Sequence, residues 1–248
     1  MTALVWDGCV NVRDLGGLPT EDGALTRHGR VVRSDNVHRL SDAGWQALVD
    51  HGVTRIVDLR FPEELADDGP GDPPVEIVHV SVLGPSRTAE WQAEQNDAMD
   101  EAADAATYLV WSYGSFLDAY RERFAAAVNA IADGGDGAVL VHCMGGKDRT
   151  GLITALLLRV AGVPVEVVAA DYALTEPALA VTADDWIAAA PDDAERRRRV
   201  LMQPAPSTAM AEVLEALEAR YGSVADYLRG GGVSDEAIER VRERLVAP

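Results

Sequence analysis

The sequence predicts an α/β fold with a central, mainly parallel sheet flanked by helices, and three observations lead there. Short β-branched runs alternate with helical patterns over the first two thirds of the chain. One of the helical stretches, Thr150 to Ala161, is apolar on nearly every side, as a helix buried in a layered core is. After Thr175 the pattern is helical only, which adds a helical C-terminal extension.

The elements follow in order. Arg30-Val31-Val32-Arg33 reads as the first strand. Ser41 to His51 is a helix that starts on a good N-cap and stops at Gly52. Residues 53–58 and 75–80 are two more strands, separated by a turn-rich loop at Pro70 to Pro74. Residues 85–110, rich in Ala, Glu, Asp and Gln with Trp91, Met99 and Tyr108 along them, look helical but weakly anchored. They form either a surface helix or a helical lid inserted over the site. Ser112 to Asp133 reads as one long helix ending at Gly134-Gly135. Residues 138–143 are the last strand, and the Thr150 helix ends at Gly162-Val163-Pro164. Ser207 to Tyr221 and Ser234 to Val246 close the helical part, the second with Ser234 as N-cap and Asp235-Glu236 in its first turn. The organisation expected is one domain over 1–248, with 85–110 as an insertion and 176–248 as the helical C-terminal part.

Composition narrows the function. The 248 residues carry 48% hydrophobic and 25% charged side chains, ordinary for a globular protein. The N-terminus has neither a basic start nor an apolar run of signal-peptide length, and no stretch reaches the ~18 apolar residues a membrane helix needs. A cytoplasmic protein without a stable membrane anchor is expected, with non-classical export as the alternative. The net charge of −19 repels nucleic acid and leaves any phosphate-binding site to generate its own positive pocket. The two cysteines, Cys9 and Cys143, lack the spacing of a zinc site or a disulfide framework.

His142-Cys143-Met144-Gly145-Gly146-Lys147-Asp148-Arg149-Thr150-Gly151 is the strongest signal. A strand leads in, a loop with paired glycines follows, and an apolar helix leads out. Glycines at 145 and 146 let amides turn inward around an anion, and the helix start adds its unpaired N–H groups. Arg149 contributes a planar fork for phosphate oxygens. That environment lowers the pKa of a thiol from its usual ~8.5, so Cys143 can attack phosphorus as a thiolate. Met144, Gly145, Gly146, Lys147, Asp148 and Arg149 form the expected phosphate-binding loop.

Cys-x5-Arg-Thr-Gly after a His resembles the protein tyrosine phosphatase signature, and the longer string resembles the bacterial, mycobacterial phosphatase B-like group. Asn11 to Gly17, Arg33-Ser34-Asp35, Val57-Asp58-Leu59-Arg60 and Leu217 to Val233 agree with it. The resemblance implies a protein tyrosine phosphatase-like fold and a phosphocysteine on Cys143, with Arg149 as clamp. It also implies phosphorylated proteins or phosphoinositides as substrates, inorganic phosphate as product, and no metal or cofactor. In this light Lys147 either meets a second phosphate or is a solvated loop lysine.

A general acid is also required. Asp58, at the C-terminal end of a strand as Cys143 is, is favoured over pairing with Arg60, and Asp148 inside the loop is the rival. His142 is expected to be a buried support for the loop, because neighbours on a strand face opposite ways. Thr150 either bonds the thiolate or caps the helix. Arg13, Arg33 and Arg60 either add to the positive pocket or pair with nearby Asp residues. Glu195 to Arg199 reads as a solvated helix face. Two other classes stay open: a non-catalytic phosphate-binding pseudophosphatase, and a sulfur-transfer or arsenate-reductase-like cysteine enzyme.

Overall fold

A single six-stranded sheet organises the computed structural model, which describes residues 2–66, 68 and 73–247. In chain order the strands are β1 (Thr2–Ala3), β2 (Arg13–Asp14), β3 (Val31–Ser34), β4 (Val53–Asp58), β5 (Glu76–His79) and β6 (Ala138–His142). Their order in space is β1-β2-β3-β6-β4-β5. The four from β3 to β5 run parallel, and β1 and β2 extend one edge antiparallel. The alternation of side chains along a strand divides two cores. Val31, Val57, Val139 and Val141 face the larger one, while Val32, Ile56, Ala138 and Leu140 face the smaller. Helix α1 (Asp42–Asp50) covers the smaller core through Leu48, capped at its start by the Ser41 hydroxyl, which accepts from Gly44 N–H.

The larger core is covered by α3 (Ala105–Ala119), α4 (Arg121–Ala132), α5 (Asp148–Val160), α6 (Val165–Ala173), α9 (Ser207–Tyr221), α10 (Val224–Gly230) and α11 (Asp235–Leu245), and α5, as its apolar sequence requires, is almost wholly buried. Between them come α2 (Ala89–Glu101), α7 (Thr175–Ala188) and α8 (Asp193–Met202). Ser234 caps α11 by accepting from Ala237 N–H.

Three expectations change. The stretch Ser112 to Asp133 is two helices, broken at Tyr120, where φ −119° and ψ 24° leave the helical region. No Gly or Pro marks the break. Arg121 is drawn over the rings of Tyr221 and Tyr227 and donates to the carbonyls of Tyr227 (2.6 Å) and Asp226 (3.0 Å), so contacts with α10 fix the corner. Residues 85–110 are not weakly anchored: Trp91 stacks on Phe116 and meets Phe61 edge-on, and Gln95 and Met99 are buried. β1 and β2, two residues each, were not anticipated. Of the turn-rich loop at 70–74, residues 70–72 lie outside the described residues.

The parallel register aligns the strand C-termini: Ser34 and Asp58 both flank His142, and His79 flanks Asp58. That edge is where a parallel sheet places its ligands.

Candidate active site

Cys143 leaves the sheet immediately after β6 and is buried. Between it and α5 three successive loop carbonyls are held from outside, while Lys147 O accepts from Gly151 N–H of α5 itself. Met144 O accepts from Asn36 N–H (3.0 Å), Gly145 O from the Asn11 amide (2.9 Å), and Gly146 O from the Arg33 guanidinium (2.7 Å). A peptide plane with its carbonyl tied outward turns its N–H the other way. Among the described residues, no N–H from Met144 to Arg149 has a protein acceptor, which leaves these amides free for an anion. Gly146 is required here: its φ is +64°, and a Cβ would lie 2.5 Å from Ser34 O.

Arg33 can hold Gly146 because it is itself fixed. Asp171 on α6 accepts from Arg33 (2.6 Å) and Arg13 (3.3 Å), Thr175 accepts from both, and Arg13 donates to Asn11. Arg13 and Arg33 therefore pair with a distant Asp instead of a nearby one, and they brace the loop from behind.

Arg149, in the first turn of α5, lies against the Phe61 ring (5.5 Å) and forks onto Glu64, with Nη2 3.0 Å from Oε1 and Nη1 on Oε2. Burial opposes its charge, yet Cys143, Glu64 and Asp148 together raise its pKa. Burial likewise opposes ionisation of Glu64, and Arg149 outweighs it and holds the carboxyl below its ordinary range. Glu64 went unnoticed in the sequence, although Phe61-Pro62-Glu63-Glu64 directly follows β4 with Pro at a helical start.

The two acid candidates have different surroundings. Asp58 is buried; Arg60 donates to both of its oxygens (2.8–3.1 Å), and Arg60 also bonds Asp68. Burial would raise its pKa, but His142 and Arg60 prevail and lower it. Asp148 opens α5 with its side chain 29% exposed and accepts from Tyr113 OH at 2.6 Å, which in turn meets Tyr172 OH at 2.8 Å. Tyr113 and Tyr172 are far away in sequence and carry no motif.

Lys147 is neither solvated nor turned toward open space. It is 4% exposed, and its ammonium donates to the carbonyls of Met202, the last residue of α8, and Pro204 (3.2 Å) just after it. Thr150 is not the cap of α5: the helix starts at Asp148, Lys147 occupies the cap position without a side-chain bond, and the buried Thr150 hydroxyl has no partner among the described residues. The basic run on α8 is only partly solvated, since Arg198 pairs with Asp100 (2.5 Å) and Arg199 stacks on Trp186.

His142 is fully buried, with Nδ1 3.1 Å from Cys143 O and Nε2 3.6 Å from Asp58 without a hydrogen bond. His38, Asp58 and His142 bring ligand-type atoms within 4.8 Å of one another. Arg60 already occupies both Asp58 oxygens and would repel a dication, so the trio fits a metal poorly. Burial, with the Arg60 charge behind it, pushes His142 down to about 4 from its ordinary 6.5. Between those values the unfolded chain binds the proton and the folded one does not, so stability falls as pH falls. The gap corresponds to ~3 kcal/mol. Urea unfolding should show at least that loss from pH 7 to pH 4, and His142→Gln should remove about that much of it; an unchanged slope in the variant would contradict the assignment.

The chain resembles known phosphatases over nearly its whole length. A family model described as the tyrosine phosphatase family matches residues 4–247. The triple specificity protein phosphatase PtpB of Mycobacterium tuberculosis is 30% identical over 96% of this chain and 97% of its own length. A tyrosine-protein phosphatase of Nostoc commune is 30% identical over 86% and 73%, and a putative one of Cupriavidus necator 32% over 91% and 82%. From the strand edge, the loop it carries and this near full-length likeness, the chain belongs to the bacterial, PtpB-like part of the tyrosine phosphatase family and is a protein-tyrosine-phosphatase-type enzyme.

Proposed function

We propose that the protein hydrolyses phosphate monoesters through a phosphocysteine on Cys143, with phosphotyrosine as its first substrate class. The observation that carries this is the loop whose Met144, Gly145 and Gly146 carbonyls are tied outward, leaving its amides free beside a buried cysteine and the arginine fork. The Cys143 thiolate attacks phosphorus, and the bond to the leaving oxygen breaks as that oxygen takes a proton. The amides from Met144 onward and Arg149 hold the equatorial oxygens, exchanging part of the Arg149 contact with Glu64 for contact with phosphate. Water then attacks the thiophosphate, releasing inorganic phosphate and the thiolate.

We assign the proton donor to Asp148, departing from the favoured reading of Asp58. A general acid must reach the leaving oxygen and hold a proton near working pH. Asp58 is buried, paired on both oxygens and lowered in pKa, so it serves to fix Arg60, which donates in turn to Glu64 O. Asp148 is on the loop itself, partly exposed, oriented by Tyr113, and lies 3.6 Å from one cation, the Lys147 ammonium, where Asp58 has a guanidinium bonded to both oxygens. Asp148→Asn should lower kcat ~10²–10⁴-fold on a phosphate ester with a poor leaving group and far less on an activated aryl phosphate. Asp58→Asn should lower both equally, together with the melting temperature. The reverse pattern would return the acid role to Asp58.

Lys147 is read as a clasp between the loop and the end of α8, since its ammonium is already committed to two carbonyls. This argues for a single-phosphate subsite. The mycobacterial relative is named for triple specificity. A panel of phosphotyrosine peptide, phosphoserine peptide and phosphoinositides compared by kcat/KM therefore tests the substrate class, and a phosphoinositide preference would overturn the phosphotyrosine assignment.

A further inference from the structure

The chain has 41 acidic residues against 22 basic ones, yet Arg27, Arg30, Arg240 and Arg244 line one cleft of about 630 Å³. The cleft lies at the other end of the sheet from Cys143. Arg30 precedes β3, and Asp136 precedes β6, whose far end carries the phosphate loop. Five residues of strand separate them, roughly 16 Å.

The carboxylates of the lining pair with Arg240 alone and leave Arg27, Arg30 and Arg244 without a partner. Asp133 is taken by Arg240 at 2.7 Å. Asp136 and Glu243 complete the acidic lining, but the bonds from Arg30 and Arg27 go to their main-chain carbonyls, at 2.5 and 3.0 Å. Arg244, 4% exposed, likewise donates to the carbonyls of Gly137 (2.8 Å) and Gly135 (2.5 Å). Among the described residues, Arg27, Arg30 and Arg244 form no ion pair.

Capping the turn before β6 accounts for the terminal nitrogens alone. The Nε–H groups of Arg30 and Arg244 are buried with no acceptor, and a carbonyl dipole does not offset a full positive charge. Arg55 lies close enough to add to the field, although Glu76 pairs with it at 2.8 Å. Burial first, then the charges of Arg30, Arg55 and Arg27, push Arg244 down to about 10, with Asp136 only partly opposing. Three guanidinium groups that line one cleft without a carboxylate partner suit an anion that can accept from more than one of them at once.

We propose that this cleft is a second anion-binding site, in which Arg27, Arg30 and Arg244 hold a compact small molecule bearing two or more phosphate or carboxylate charges. The site is distinct from the catalytic loop and does not depend on the reading of the reaction given above.

Titration calorimetry on the full chain carrying Arg149→Lys, which takes the planar fork from the catalytic loop and keeps the charge beside Glu64, tests it with two probes, inorganic pyrophosphate and citrate. One ion should bind per chain, more weakly as salt rises. Arg27→Gln with Arg30→Gln should weaken that binding at least tenfold. Both residues are only half-buried, and the pair in an otherwise unchanged chain should keep its melting temperature and its turnover of an aryl phosphate, showing that the fold is intact. Binding of pyrophosphate alone identifies a phosphate ligand, and binding of citrate alone a polycarboxylate; either supports the site. No binding of either ion, or binding undiminished by the double substitution, overturns the proposal.

Discussion

Replacing Cys143 by serine is expected to abolish phosphate release from an aryl phosphate while leaving inorganic phosphate bound by the loop. A serine hydroxyl stays protonated where a thiol ionises, so the nucleophile is lost. The groups that bind the anion remain, because they are backbone amides held by Asn11, Asn36 and Arg33 together with Arg149. Activity within tenfold of the native rate would show that another group attacks. Loss of phosphate binding along with activity would show instead that the sulfur is part of the loop's architecture. Cys143 is buried in the larger core, but an oxygen for sulfur exchange removes little volume, and the fold should tolerate it.

Arg149→Lys should cost at least ~10³-fold in kcat/KM, the scale seen when an arginine that stabilises transferring phosphoryl charge is removed. The ammonium keeps the charge but loses the planar fork, and it reaches Glu64 or phosphate through a single point. The substitution also disturbs a buried pair: Glu64, 11% exposed at its side chain, depends on Arg149 and on a half-exposed Arg87 at 3.4 Å. Breaking such a pair outright costs ~3–5 kcal/mol, so Arg149→Ala should lower the melting temperature and Arg149→Lys much less. Equal destabilisation by both variants would mean that the fork is not what holds Glu64.

What could be read from the sequence was local. The strand, the paired glycines and the apolar helix around Cys143 lie within about twenty-five residues, so their periodicity and turn chemistry speak for themselves. The parallel sheet was legible for the same reason, since Val31-Val32, Ile56-Val57 and Val139-Leu140-Val141 are apolar on both faces. The parts that bind the loop into place were not. Asp171 reaches Arg33 across 138 positions, Tyr113 reaches Asp148 across 35, and Lys147 reaches Met202 across 55. Nothing in the spacing of one residue announces such a partner. Asp58 shows the limit most clearly. A carboxylate at a strand end beside an arginine looks alike in sequence whether it donates protons or is locked in a buried pair, and the Arg60 fork on both its oxygens is visible only in three dimensions. The Tyr120 break is similar, because α10, a hundred residues later, sets it.

The most direct measurement is a rapid acid quench of the enzyme during turnover of an activated aryl phosphate, followed by mass analysis of the peptides. The mechanism requires one phosphoryl group on the peptide containing Cys143, absent in Cys143→Ser. A phosphoryl group on any other residue, or full turnover with none on Cys143, would contradict it.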